Sequence, residues 1–357
     1  MDEFIRHGGD IYCDGRKGRS LLDFSANINP AGIPESVKAA AKESLCFCEA
    51  YPDPLCRELR YALGEFHGLD PAHIVCGNGA ADVIFRLVFA VKPKKALVVS
   101  PTFSEYESAL KAWGCDTHYI DLDPDKDFIP NENVVKGVTQ GTELVFFCNP
   151  NNPTGMAMPG DFVKTLLDKC REAGAMLVVD ECFLSFIENE EAYSAVRYIR
   201  GNNRLFILKA FTKMYAMAGI RLGYGLCSDT DLINKITVTG QPWSVSTIAS
   251  KCGVAALKEK EFVKRTVQLN KQERIWLSDQ LASRGLKVYK SFANYMMFKS
   301  EDTSLCQKLE EQGVLIRSCS NYRGLGEGFY RVAVKNHSHN LCLVEALKNV
   351  MPAHETS

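Results

Sequence analysis

The stretch "KAFTKMYAMAGIRLGYG", Lys209 to Gly225, decides the reading of this chain. It sets Lys213 among small and apolar residues and follows it eight positions later with Arg221. A lysine in such a loop is commonly a snorkelling group whose amine reaches water. A partly buried amine beside a second cation instead loses its proton more readily, as a nucleophile for carbonyl chemistry must. Arg221 would supply that cation and, with its fork of donors, grip a phosphate.

Three motifs precede this stretch, each at or just after a strand-like run. "HIVCG" leads into "GNGAAD", Gly77 to Asp82, where glycines before a helix let backbone N–H groups approach an anion. "TELVFFC" leads into "CNPNNPTG", Cys148 to Gly155, whose prolines stiffen a turn that presents Asn152. "AMLVVDECF" places Asp180 at the end of an apolar run, where a carboxylate needs a cation or N–H partner. Taken singly, these read as a glycine turn, an Asn-Pro turn and a helix N-cap.

The same runs alternate with helical segments such as "AADVIFRLVFAV", "FSEYESALKAWG" and "GDFVKTLLDKCREAG". That alternation predicts an α/β fold with a mostly parallel sheet covered by helices on both faces. Sites in such sheets lie beyond the carboxyl ends of the strands, which gives the four motifs one address. From about residue 261 a long charged amphipathic helix leads into "LKVYKSFANYMMFK" and "GVLIRSCSNYRGLGEGFYRVAVK", the strands of a second sheet. We therefore expect an N-terminal arm over 1–30, a large domain over 31–260 and a small C-terminal domain over 261–357.

Lys plus Arg (42) and Asp plus Glu (43) nearly cancel, which argues against nucleic acid or an anionic membrane as partner. A small molecule is the expected ligand. The start "MDEFIRHGGDIYCDG" has acids where a secretory leader needs a basic end, so a cytoplasmic protein is expected. The 14 cysteines are scattered through apolar settings without a CxxC pair, as reduced thiols rather than disulfides or metal ligands.

With these motifs in this order, the sequence resembles the fold-type I pyridoxal-phosphate enzymes of the class I/II aminotransferase superfamily, over nearly its whole length. The resemblance implies the aspartate aminotransferase-like fold, pyridoxal 5'-phosphate as coenzyme and a homodimer. It implies that Lys213 forms the covalent link to the coenzyme and shuttles the proton. Asp180 would pair with the ring nitrogen, Asn152 would hydrogen-bond the ring oxygen, and Tyr106 of "PTFSEY" would stack on the ring. The phosphate would meet the backbone at Ala80 and Ala81, the Thr212 hydroxyl and Arg221, with Tyr51 of "YPDP" reaching it from the neighbouring subunit. Arg331 of "YRVAV" would clamp the substrate α-carboxylate.

Two groups within the superfamily are nearest: threonine-phosphate decarboxylases, favoured by "LDFSANINPAG", "DECF" and "LIRSCSNYRGLGEGFYRVAV", and histidinol-phosphate aminotransferases. Both take a phosphorylated substrate, so Arg317, Arg323 and His7 are candidate cations for it, with Asn29 of "INP" as a further substrate contact. The resemblance has departures. The common "DEAY" is "DECF" here, so Phe183 lacks a ring-oxygen hydroxyl, and Ala210 stands three positions before the lysine where a hydroxyl is usual. A non-catalytic relative keeping the fold is a third reading, against which the intact set of Lys213, Asp180, Asn152 and Arg221 counts.

Overall fold

The computed structural model describes residues 7–12, 16, 18 and 21–351. The chain opens with β1 (Leu22–Asp23) and then lays down β2 (Ile74–Gly77), β3 (Lys95–Ser100), β4 (Asp116–Asp121), β5 (Leu144–Cys148), β6 (Met176–Asp180), β7 (Leu205–Ala210) and β8 (Gly223–Leu226). The last seven form one sheet in the order β2-β8-β7-β6-β5-β3-β4. β3 through β7 run parallel, while β8 is antiparallel to both β7 and β2. "LVFFC" in β5 and "MLVVD" in β6 are buried at every position. That continuous burial requires helices on both faces, and an apolar core lies on each side of the sheet.

The smaller sheet is antiparallel, ordered β12-β13-β10-β9, from β9 (Lys287–Val288), β10 (Tyr295–Lys299), β12 (Arg317–Ser318) and β13 (Phe329–Ala333). The short β11 (Val314–Leu315) pairs in parallel with β1. The 23-residue helix Lys260–Ala282 joins the two parts. Its first half packs Phe262, Val263 and Val267 on the large core, and its second half buries Leu277 and Leu281 in the small one. The expected boundary near 260 falls at the first turn of this helix.

Of the expected arm, residues 1–6, 13–15, 17, 19 and 20 lie outside the described residues. Residues 22–29 run between the two sheets. Phe24 donates to Leu315 O and accepts from Ala333 N, both at 2.8 Å, whereas Asn29 N donates to Lys213 O at 3.2 Å. Among the described residues, no helix is long and apolar enough to cross a membrane and no cluster of His, Cys, Asp and Glu has the makings of a metal site.

Candidate active site

The four motifs converge on one cavity at the carboxyl ends of the parallel strands. Its deeper part, about 120 Å³, is lined by Ala80, Ala81, Asn152, Asp180, Thr212, Lys213 and Arg221, with Phe103, Phe183 and three further side chains. An adjoining part of about 280 Å³ opens past Lys213 and Asn152 to His7, Asn27, Tyr322 and Arg331. Motifs separated by more than 130 positions in the chain meet here because each flanks the same edge of one sheet.

Lys213 lies just beyond β7 at the end of the parallel array. Burial pushes its amine down to about 8, and the guanidinium groups of Arg331 and Arg221 add to the effect. The nucleophile expected from the sequence thus arises mainly by desolvation, with the cations second. Its Nζ lies 5.7 Å from the centre of the Phe183 ring. Phe183 in turn packs edge-on against Tyr295, whose hydroxyl donates to Asn151 O at 2.9 Å. The hydroxyl missing at Phe183 is therefore not replaced from Tyr295.

Asp180 closes β6 and is 5% exposed as a residue. Burial raises its pKa, opposed by donors from Cys182 and Tyr106. The Cys182 N–H reaches Oδ1 at 2.9 Å and the Tyr106 hydroxyl reaches Oδ2 at 2.5 Å. Tyr106 is itself wholly buried and stacked on Phe146 with centroids 4.7 Å apart. The Tyr106 ring, expected to stack on the coenzyme, lies beneath the floor, and Phe103, three positions earlier, lines the cavity.

At the other end, the helix Ala80–Val91 points its first turn at the cavity with no side chain capping it. First-turn N–H groups have no partner inside their helix. Gly79 sits at φ +84°, and a Cβ there would come within 2.4 Å of Arg221 Nη2; one on Gly223 would meet Ala80 N at 2.4 Å. Both positions need glycine to hold this cradle open. Arg221 holds a left-handed φ of 63°, an uncommon conformation for a non-glycine residue that turns the loop after Lys213 back toward the helix. One guanidinium nitrogen of Arg221 donates to Ala218 O at 3.1 Å.

Arg331, 4% exposed, donates through Nη1 to Asn152 Oδ1 and through Nη2 to Ser25 O at 2.8 Å. Its Nε is buried without a partner, as is Oδ1 of Asn27 nearby. Unpaired buried groups are costly, and both residues line the outer part of the cavity. His7 shares a hydrogen bond with Glu105 at 2.9 Å and borders the same space.

The other sequence candidates fall outside the cavity. Asn29, expected as a substrate contact, is buried with its amide donating to Met214 O at 2.7 Å and Thr266 Oγ1 at 3.0 Å, where it anchors the lysine loop. Arg323, expected as a substrate cation, lies over the Tyr119 ring at 3.9 Å and beside Asp121 at 3.4 Å, exposed. Arg317 donates to Asn321 at 2.8 Å and faces the ring of Tyr322, which lines the cavity, at 5.7 Å. Tyr51 is 80% exposed and stacked on Trp243, remote from this chain's own site. Asn27, Phe103 and Tyr322 were missed; Asn27 and Phe103 stand two and three places from chosen residues, so only tertiary placement separates them.

A family model for aminotransferase class I and II matches residues 19–347. The chain belongs to this family. Threonine-phosphate decarboxylase of Salmonella typhimurium is 34% identical over 352 residues, 97% of this chain and 96% of that protein. Histidinol-phosphate aminotransferase of Methanosphaera stadtmanae is 27% identical, covering 93% of this chain and 91% of that one. The solved structure of histidinol-phosphate aminotransferase from Clostridium acetobutylicum matches with a TM-score of 0.86 at 29% identity, covering 93% of this chain and 99% of that one. As a class I and II aminotransferase relative, the protein has the aspartate aminotransferase-like fold and uses pyridoxal phosphate. The site fits that group: a glycine-lined anion cradle at one end, a buried carboxylate at the floor, and a depressed lysine between them.

Proposed function

We propose that the protein decarboxylates L-threonine O-3-phosphate to (R)-1-amino-2-propanol O-2-phosphate, in cobalamin biosynthesis, and accepts L-serine phosphate as a poorer or comparable substrate. The observation that carries this reading is the 34% identity over 97% of the chain to a threonine-phosphate decarboxylase, against 27% to a histidinol-phosphate aminotransferase. A one-methyl difference is worth only about 1–3 kcal/mol, so both phospho-amino acids fit the proposal.

Bound pyridoxal phosphate supplies an electron sink for the pair released when a bond at the substrate α-carbon breaks. The rest is the chain's own work. Ala80, Ala81, Thr212 and Arg221 would hold the coenzyme phosphate, and Asp180 would hold the ring nitrogen protonated. Lys213, its amine held near 8, would be the nucleophile that holds the coenzyme, and it would be the group placed to move a proton at the substrate α-carbon. Arg331, already hydrogen-bonded to Asn152, would orient the α-carboxylate while Asn152 would meet the ring oxygen, and the bond to that carboxylate is the one set to break. After CO₂ leaves, the Lys213 ammonium delivers the proton that replaces it. His7 meets the distal phosphate at the outer mouth. A homodimer with Tyr51 contributed across the interface completes the proposed site, in keeping with that ring's exposure.

The competing reading is transamination of histidinol phosphate, favoured by the 0.86 TM-score match. Incubating the holoenzyme with threonine phosphate and no keto acid tests the choice. Stoichiometric, repeated CO₂ release supports decarboxylation. Turnover only with glutamate and imidazoleacetol phosphate overturns it.

A further inference from the structure

A second buried charge cluster lies behind the cavity and is used by none of the steps above. Glu181 follows Asp180 at the end of β6, and Lys209 stands in β7 four residues before Lys213. Side chains alternate across a strand, so with Asp180 and Ala210 at the cavity, Glu181 and Lys209 face the opposite side of the sheet. There the Lys209 amine lies 3.0 Å from Glu181 Oε2 and 2.8 Å from Glu190 Oε1. The Lys209 and Glu181 side chains are 7% and 0% exposed. Glu181 also accepts from Ala195 N at 2.6 Å and Ser194 Oγ at 2.9 Å. Tyr224, Tyr215 and His67 border the cluster as further titratable groups.

A buried ion pair of this kind contributes little net stability, because desolvation offsets most of the attraction. What it does supply is geometry. Asp180 lies opposite Leu208 in the ladder, and Glu181 N donates to Leu208 O at 2.8 Å. The pair ties the two strands at the point where one delivers the ring-nitrogen carboxylate and the other leads to the coenzyme lysine. We infer that Lys209 and Glu181 are positioning residues whose ion pair fixes Asp180 and Lys213 in register across β6 and β7. The inference rests on the coenzyme site proposed above and not on which substrate is turned over.

The test compares wild-type holoenzyme with Lys209→Met, Lys209→Arg and the double variant Glu181→Gln/Lys209→Met. The coenzyme dissociation constant, the pH midpoint of its visible absorbance, and Tm are measured. Misplacement by about 1 Å at such a site costs up to about a hundredfold. Lys209→Met should raise the dissociation constant about tenfold and move the absorbance midpoint, and Lys209→Arg should restore both. The double variant removes the fully buried charges and leaves only the partly exposed Glu190 without its cation, so it should fold even if Lys209→Met does not, with the midpoint still displaced. A double variant with wild-type midpoint and coenzyme affinity overturns the inference. Should no phospho-amino acid be decarboxylated, the proposed reaction fails while these absorbance readings still decide this one.

Discussion

The Tyr106 hydroxyl donates to Asp180 Oδ2 at 2.5 Å, from beneath the cavity floor. Placed there, Tyr106 tunes a carboxylate where the sequence suggested it would cover a ring. Burial works against the ionised Asp180, and this donor is one of the few groups that offset it. A hydrogen bond to a charged group is worth about 1.5–3 kcal/mol. Tyr106→Phe should accordingly weaken coenzyme binding about 10- to 100-fold, read by titration of the apoprotein. An unchanged dissociation constant would show that Asp180 is held ionised by Cys182 and Lys213 alone.

Lys213 carries the clearest pH signature. With its amine near 8 instead of 10.5, labelling of the coenzyme-free protein by an amine-directed reagent should rise through a midpoint near pH 8. Arg331→Gln removes the larger of the two cationic contributions, so that midpoint should move upward. The folded pKa lies below the unfolded one, so the unfolded chain binds more protons between pH 8 and 10.5, and the lysine's unfavourable effect on stability is relieved as pH rises through that window. Lys213→Met should raise the Tm of the apoprotein at pH 7 while abolishing covalent coenzyme attachment.

Gly79→Ala probes the phosphate cradle. The added methyl would meet Arg221 Nη2 at 2.4 Å on a backbone with φ +84°, so both the arginine and the turn must shift. Coenzyme affinity should fall by at least about tenfold. Folding should be less affected than affinity, and equal losses in Tm and binding would instead point to collapse of the whole loop.

His67 sets an acid limit on stability. It hydrogen-bonds the Tyr224 hydroxyl at 3.0 Å, and burial, followed by the charge on Lys209, pushes its pKa down to about 3. The unfolded imidazole takes up its proton near 6.5, so this contribution is complete above that pH and is lost as pH falls from 6.5 toward 3. His67→Gln should lose less stability than wild type between pH 7 and 5, by on the order of 1 kcal/mol, measured as urea midpoints.

The strand-and-helix alternation and the continuous burial of "LVFFC" and "MLVVD" made the parallel sheet legible, because burial on both faces leaves an unbroken apolar run. The β8 reversal was not legible: "GYGL" carries no mark of direction, which is set by the loop returning from Lys213. Likewise the ladder of motifs pointed to Lys213, Asp180, Asn152 and Arg221, which line one cavity because each flanks a strand at the same edge of the sheet.

Local order along the chain thus determined which strand ends carry chemistry, for hydrophobic period and turn residues are properties of neighbours in sequence. Which side chains enter the cavity was decided only by tertiary packing. Tyr106 and Phe103 lie on one short turn, as Asn29 and Asn27 lie on one segment, and the choice between them depends on a few tens of degrees of rotation fixed by distant partners: Asp180 for Tyr106, Met214 and Thr266 for Asn29. Arg323 was lost to Asp121 and Tyr119 for the same reason. A guanidinium goes to whichever anion or ring the fold brings closest, and that distance is not written in the spacing of the residues.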